Sequence, residues 1–235
     1  MIFIQGVEEM RIICEECGRE YETHLGNACP YCRREKEWLR ISNEAKSSVR
    51  NSFPKGIRNS LSKYFHEETR NYKKVITLAN KLYQEDDDYY KSIFLYGDTG
   101  EGKTTFACAL AEEILKRKFI LGEWFPVYRP LYTVYDFFCV LKKSYSKLII
   151  ESETTILEQL ENVPVLIVDD LGIEKGTEWE MYMLYGLVNN RSRELRTTIY
   201  TSNYSLEKLA EKIQNDRIVS RILSTSIVMN YTRIE

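Results

Sequence analysis

Two short stretches carry side chains that could hold a phosphate ester and its counter-ion. The first is Gly97-Asp98-Thr99-Gly100-Glu101-Gly102-Lys103-Thr104, followed by Thr105. It matches the spacing G-x-x-x-x-G-K-[ST]. Glycines let a backbone curl until successive N–H groups face one anion. Lys103 is then placed to reach β- and γ-phosphates, and the Thr104 hydroxyl to ligate Mg²⁺. The second stretch is the apolar run Val165-Leu166-Ile167-Val168, which ends in Asp169 and Asp170. Asp169 is expected to help hold Mg²⁺, and Asp170 to orient an attacking water. Read separately, these are a glycine-rich turn and an acid pair capping a helix. Together they describe ATP bound with its metal.

Such chemistry needs elements that bring the stretches together. Ile93 to Tyr96 reads as a buried strand. The apolar residues after Lys103, from Phe106 to Leu115, recur at helical spacing. A helix starting near Lys103 adds the positive end of its dipole to the loop. Val165–Val168 reads as a parallel strand buried on both faces. Ligands of open α/β sheets sit beyond the carboxyl ends of such strands. Thr197–Thr201 reads as a further strand, ended by Ser202-Asn203. Taken alone, Asn203 would cap the next helix. Beside this pocket its amide can reach a γ-phosphate or water.

Further helices are read over Tyr72–Tyr83, Val134–Tyr145, Trp179–Leu195 and Leu206–Ile213. Pro126–Thr133 and Ile227–Asn230 read as strands, and residues 146–162 as a partly helical crossover. Arg217 and Arg221 share one helix face, four residues apart. Lys116-Arg117-Lys118 complements a helix carboxyl end. The acidic turn Glu85–Asp88 reads as a solvated loop.

A separate signal lies near the amino end. Cys14 and Cys17, then Cys29 and Cys32, form two C-x-x-C pairs. Four thiolates can close a tetrahedral shell around Zn²⁺, a structural site. So short a segment cannot bury a core, so the metal would supply its folding energy. His24 reads as a solvated loop residue. Cys108 and Cys139 fall within apolar helical patterns and are expected to be buried thiols. The charged run from Arg33 to Arg50 reads as a linker helix. Pro54 and Gly56 break the pattern over Ser52–Asn59. The domain boundary is set there: residues 1–50 for the zinc-binding module and linker helix, 51–235 for the nucleotide domain.

The chain has 235 residues, 29% charged and 43% hydrophobic, with a formal net charge of −2. That balance is ordinary for a globular protein and carries no global nucleic-acid signature. No apolar run reaches membrane-spanning length, and the first residues lack the form of a secretory leader. The expected location is cytoplasmic, with no membrane partner.

The phosphate loop, Val165–Gly172 with Glu174-Lys175, Thr201-Ser202-Asn203 and Asp216–Arg221 together resemble the DnaC/DnaI-type helicase loaders. They also resemble the related IstB transposition ATPases, and both groups belong to the AAA+ class. Ser52–Arg58 resembles the stretch before the nucleotide domain in that group. The resemblance implies an α/β fold, a parallel sheet flanked by helices, without a separate carboxyl-terminal lid. It puts Asn203 at the sensor-1 position. Arg221, or alternatively Arg217, takes the arginine-finger position that completes a neighbour's site. Arg233 takes the sensor-2 position. The class usually carries Glu after the metal-binding Asp; Asp170 implies slow ATP hydrolysis.

The four-cysteine module resembles the amino-terminal region of DnaI-like loaders and is not expected in IstB proteins. The implied function is an ATP-dependent loader of a DnaB-type replicative helicase onto single-stranded DNA, self-associating through its AAA+ domain. The alternative is an IstB-like ATPase regulating a transposase. A small-molecule kinase would need a lid and an acceptor site. A zinc-dependent DNA-binding regulator would need sequence-specific duplex binding.

Overall fold

A computed structural model describes residues 10–13, 20–23, 47–65, 69–83, 91–120, 131–144, 153–172 and 176–232. The nucleotide domain is a three-layer sandwich. Its middle layer is a five-stranded parallel sheet of β3 (Ser92–Tyr96), β4 (Leu131–Thr133), β5 (Val165–Asp169), β6 (Thr197–Ser202) and β7 (Ser226–Asn230), in the order β4-β5-β6-β3-β7. The parallel sheet flanked by helices agrees with the fold that the resemblance implies.

Strand alternation divides the core in two. Ile93, Leu95, Val165, Ile167 and Ile199 face one layer. It contains α1 (Lys55–Tyr64), α2 (Arg70–Tyr83) and α3 (Lys103–Ile120). Phe94, Leu166, Val168 and Tyr200 face the other. It contains α4 (Val134–Ser144), α5 (Glu153–Asn162), α6 (Glu178–Arg193), α7 (Leu206–Ile213) and α8 (Asp216–Thr225). Because both faces are covered, β3 and β5 are continuous apolar runs.

Helix α3 is apolar nearly all round. Phe106, Ala107, Cys108, Leu110, Ala111, Ile114 and Leu115 are buried, because the sheet lies on one side and α1 and α2 on the other. Two buried glutamates on α3 are paired, one from outside the helix and one from within it. Glu112 accepts a two-pronged fork from Arg50, at 2.8 and 2.9 Å. Glu113 pairs with Arg117 at 3.1 Å.

Helix α1 differs from the sequence expectation of a break over Ser52–Asn59. It begins at Lys55 directly after Pro54, whose extended backbone (φ −56°, ψ 148°) forms the cap. Proline suits a helix start because the first N–H groups have no intrahelical acceptor anyway. Residues 47–51 are helical, and Phe53 is buried in the core on the α3 side. Cys108 is buried as expected. Cys139 is only half-buried, since α4 has a solvent-facing side.

At the amino ends of β5 and β6 the sheet encloses a buried cation. Arg191 of α6 is 1% exposed. Its guanidinium donates to the carbonyls of Leu160 (2.8 Å), Glu161 (3.1 Å), Val163 (2.9 Å) and Thr197 (2.6 Å), and to the Thr198 hydroxyl (2.9 Å). It thereby caps the carboxyl end of α5 and ties it to β6 and to the approach to β5. Burial draws its pKa down to about 10, so it stays charged at neutral pH.

Earlier in the chain, β1 (Met10–Ile13) and β2 (Glu20–Thr23) pair antiparallel as a separate two-stranded sheet, with Ile13 opposite Glu20. Cys14, Cys17, Cys29, Cys32 and His24 lie outside the described residues. So do Glu85–Asp88, Glu174, Lys175, Arg233, and the 126–130 part of the expected strand ending at Thr133. Among the described residues no helix is long and apolar enough to cross a membrane.

Candidate functional site

The carboxyl ends of β3, β5 and β6 lie side by side, and each delivers a polar residue to one place. After β3 the chain turns through Gly97, Gly100 and Gly102, with φ of 154°, 88° and 87°. L side chains rarely adopt such angles. Gly97 is also sterically confined. A Cβ there would run into the carbonyl oxygen of Tyr231, whose own N–H donates to Tyr96 O at 2.7 Å. Nothing lies near the Cβ positions of Gly100 and Gly102, so their role is backbone conformation alone.

Lys103, the first residue of α3, is 6% exposed. Its ammonium donates to Gly97 O (2.9 Å), Asp98 O (2.8 Å) and Asn203 Oδ1 (2.8 Å). All three acceptors are uncharged. Burial lowers its pKa, against the opposing fields of Asp170, Asp169, Asp98 and Glu101. A cation held on neutral dipoles beside a helix amino end is suited to receive an anion.

The Thr104 hydroxyl lies 2.9 and 3.1 Å from the two Asp169 oxygens. Asp169 is buried, and burial raises its pKa, helped by Asp170. Hydrogen bonds from Thr201 and Thr104 and the charge of Lys103 work the other way. This carboxylate–hydroxyl pair is a hard-oxygen donor set that fits a divalent cation keeping most of its waters. Asp170 is half-buried and has φ of 61°, the left-handed region. Its N–H donates to Thr201 Oγ1 at 3.0 Å.

The structure thus brings together Lys103, Thr104, Asp169, Asp170 and Asn203. Asp98, Thr99 and Gly100 are exposed on the loop, while Glu101, Gly102 and Thr105 are partly covered. Arg217 and Arg221 are not part of this cluster. They are exposed on α8, whose inward face carries Ile218 and Ile222. Two contributors were given no role by the sequence reading. Thr201 looked like an ordinary β-former, and only its place two residues before Asn203 pointed to the site. Tyr231 gave no signal at all.

Residues 36–229 match the family described as IstB-like ATP binding protein. The chain belongs to that family. Membership makes this a nucleotide-binding ATPase domain. The replicative helicase loader DnaC of Escherichia coli (strain K12) is 26% identical over 148 residues, 63% of this chain and 56% of that protein. The replicative helicase loader DnaI of Bacillus subtilis (strain 168) is 29% identical over 145 residues, 57% of this chain and 43% of that protein. The chain therefore spans about half the length of the curated relatives it matches. A crystal structure of DnaI aligns with a TM-score of 0.56 at 26% identity, covering 77% of this chain and 95% of that one. Both curated relatives carry the name of replicative helicase loader.

Proposed function

We propose that the chain is an ATP-dependent loader that places a DnaB-type replicative helicase on single-stranded DNA at replication initiation. The observation that carries this is the closure of Lys103 on Asn203 beside the Thr104–Asp169 pair, in a chain whose named relatives are helicase loaders. The loop Gly97–Thr105 cradles the triphosphate, and Lys103 exchanges its neutral acceptors for phosphate oxygens. Asn203 senses the γ-phosphate, and Arg233 contacts the nucleotide from the carboxyl-terminal side. Thr104 and Asp169 hold Mg²⁺, which when bound neutralises charge on the phosphates. Asp170 orients water, and its short side chain keeps hydrolysis slow.

Residues 51–235 form the ATPase domain. Residues 1–50 form the module and linker that grip the helicase, with Cys14, Cys17, Cys29 and Cys32 on one Zn²⁺. Metal analysis is expected to find one zinc per chain, lost in Cys17→Ser. Tyr135 and Tyr182 stand exposed on α4 and α6, helices bridged by Lys142 and Glu180 at 2.6 Å. Such rings support single-stranded DNA binding by stacking. The protein works in the cytoplasm.

Arg221, with Arg217 as the alternative, reaches a triphosphate bound by a neighbouring copy. The exposure of both on α8, apart from their own chain's cluster, supports a role in trans. The test is mixing. Arg221→Ala keeps the loop, and Lys103→Ala keeps the finger. Together they are expected to hydrolyse ATP faster than the sum of the two alone. A mixture that never exceeds that sum, with wild-type activity independent of protein concentration, would mean each chain works alone. Pull-down with a replicative helicase and with a transposase decides the partner. Capture of the transposase alone would favour the IstB-like role.

A further inference from the structure

Thr201 takes no role of its own in the sequence motifs, where only Asn203 of its strand end does, yet it touches both acids. Its side chain is fully buried at the end of β6. The hydroxyl donates to Asp169 Oδ1 at 2.5 Å and accepts the Asp170 N–H at 3.0 Å. The backbone carbonyl of the same residue accepts Leu171 N–H at 2.8 Å. The next residue extends the seam: Ser202 Oγ donates to Leu171 O at 2.6 Å and accepts from Tyr204 N–H at 3.1 Å. The turn that leaves β5 is therefore stitched, residue by residue, to the strand end that carries Asn203.

We propose that Thr201 is a positioning residue of the metal–triphosphate centre, its hydroxyl bridging the Asp169 carboxylate and the Asp170 backbone. This rests on the ATP·Mg²⁺ reading of the site. A hydroxyl has one proton and two lone pairs. Here the proton is committed to Asp169, and a lone pair to the N–H of Asp170. The first contact stops the carboxylate from rotating away from Thr104. The second holds Asp170 in the left-handed region, a conformation that a non-glycine residue keeps only where neighbours enforce it. One buried side chain thus sets both the orientation of the metal-holding acid and the direction in which the following acid leaves the strand. Valine has the same shape and can make neither bond.

The test uses the full chain and a fluorescent ATP analogue, titrated with Mg²⁺ and again in EDTA. Thr201→Val is expected to raise the Mg²⁺ needed for half-maximal nucleotide binding by about 10–100-fold, the usual penalty for losing a group that orients a metal ligand, with metal-free affinity changed by less than about twofold. Thr201→Ser retains the hydroxyl and is expected to restore the wild-type Mg²⁺ requirement. Thermal melts check folding. Should Thr201→Val melt below the assay temperature, Thr201→Ala takes its place with the same expected shift. An unchanged Mg²⁺ requirement in the variant lacking the hydroxyl overturns the proposal, as does a serine variant no better than it. A wild-type chain that binds no nucleotide would instead remove the ATP site itself. Wild-type binding with an unmoved variant removes only the role of Thr201.

Discussion

One sheet holds a buried cation at each end, and the two are built differently. Lys103, at the carboxyl ends of the strands, is held by three neutral acceptors on two loops. Arg191, at the amino ends, is held by five acceptors on α5, β6 and the approach to β5. An ammonium is a compact point charge on a flexible stem, able to swing from one set of acceptors to another. A guanidinium is a rigid planar fork whose donors must all be met where they stand. The difference teaches which end is made to change partners. Lys103 can trade its carbonyls for phosphate oxygens at little cost to the fold, because loop carbonyls near the surface can turn to water. Arg191 has no such trade, because the carbonyls it satisfies lie packed where α5, the approach to β5 and β6 meet.

The largest expected effect falls on the exchangeable end. Lys103→Ala is expected to reduce ATP binding and hydrolysis to background while the melting temperature stays near that of the wild type. Equilibrium binding and a thermal melt read the two halves of that statement. A variant that binds ATP normally would reduce the loop to a turn. A variant that unfolds would erase the contrast with Arg191.

Arg191→Met comes next and inverts the pattern. It strands several buried carbonyls, each worth about 1–3 kcal/mol when left unpaired, so a loss of about 3 kcal/mol or more is expected in urea unfolding. ATP affinity per folded molecule should not move. Cys108 offers a second readout. It is fully buried, and burial with the fields of Asp169 and Glu112 pushes its thiol pKa well up, so it reacts with alkylating reagents only when the chain opens. A 3 kcal/mol loss corresponds to alkylation on the order of 100-fold faster. Lys103→Ala should leave that rate unchanged.

The smallest effect concerns the fork between Arg50 and Glu112. Arg50→Ala leaves a buried carboxylate on α3 without its partner and is expected to cost about 1–3 kcal/mol, read by urea unfolding. Because the lost contact lies on the far side of α3 from the sheet, Mg²⁺-dependent nucleotide binding should change less than in Thr201→Val. A larger change than that would mean that α3 passes strain from its buried flank to the phosphate loop.

What the sequence disclosed follows the same division. The phosphate loop, the strand ending in Asp169 and the amide at Asn203 were legible because each needs particular residue types at fixed spacing. The strands themselves were legible because burial on both faces leaves continuous apolar runs. Arg191 was not, since at the end of a helix it reads as one more solvated cation. Only the fold reveals that three carbonyl-bearing segments converge on it. Thr201 was hidden by its suitability for a strand, which masks a hydroxyl used for something else. The helix α1 was missed because Pro54 and Gly56 signal a break and a helix start in the same letters. The fork from Arg50 joins residues far apart in sequence, beyond the reach of any local pattern.

The strand carrying the phosphate loop has a consequence for how the protein is made. β3 pairs with β6 on one side and β7 on the other, and both lie far downstream of it. At ribosomal rates of about 5–20 residues per second, roughly 10 s separates the emergence of Tyr96 from that of Ser226. Until β7 arrives, one edge of β3 has its N–H and C=O groups unpaired, open to capture by another strand. Tyr231, which walls off Gly97, arrives later still. A nascent chain therefore carries the whole loop sequence long before it has the architecture that shapes it, and nucleotide can act as a template only once β7 and Tyr231 have been made.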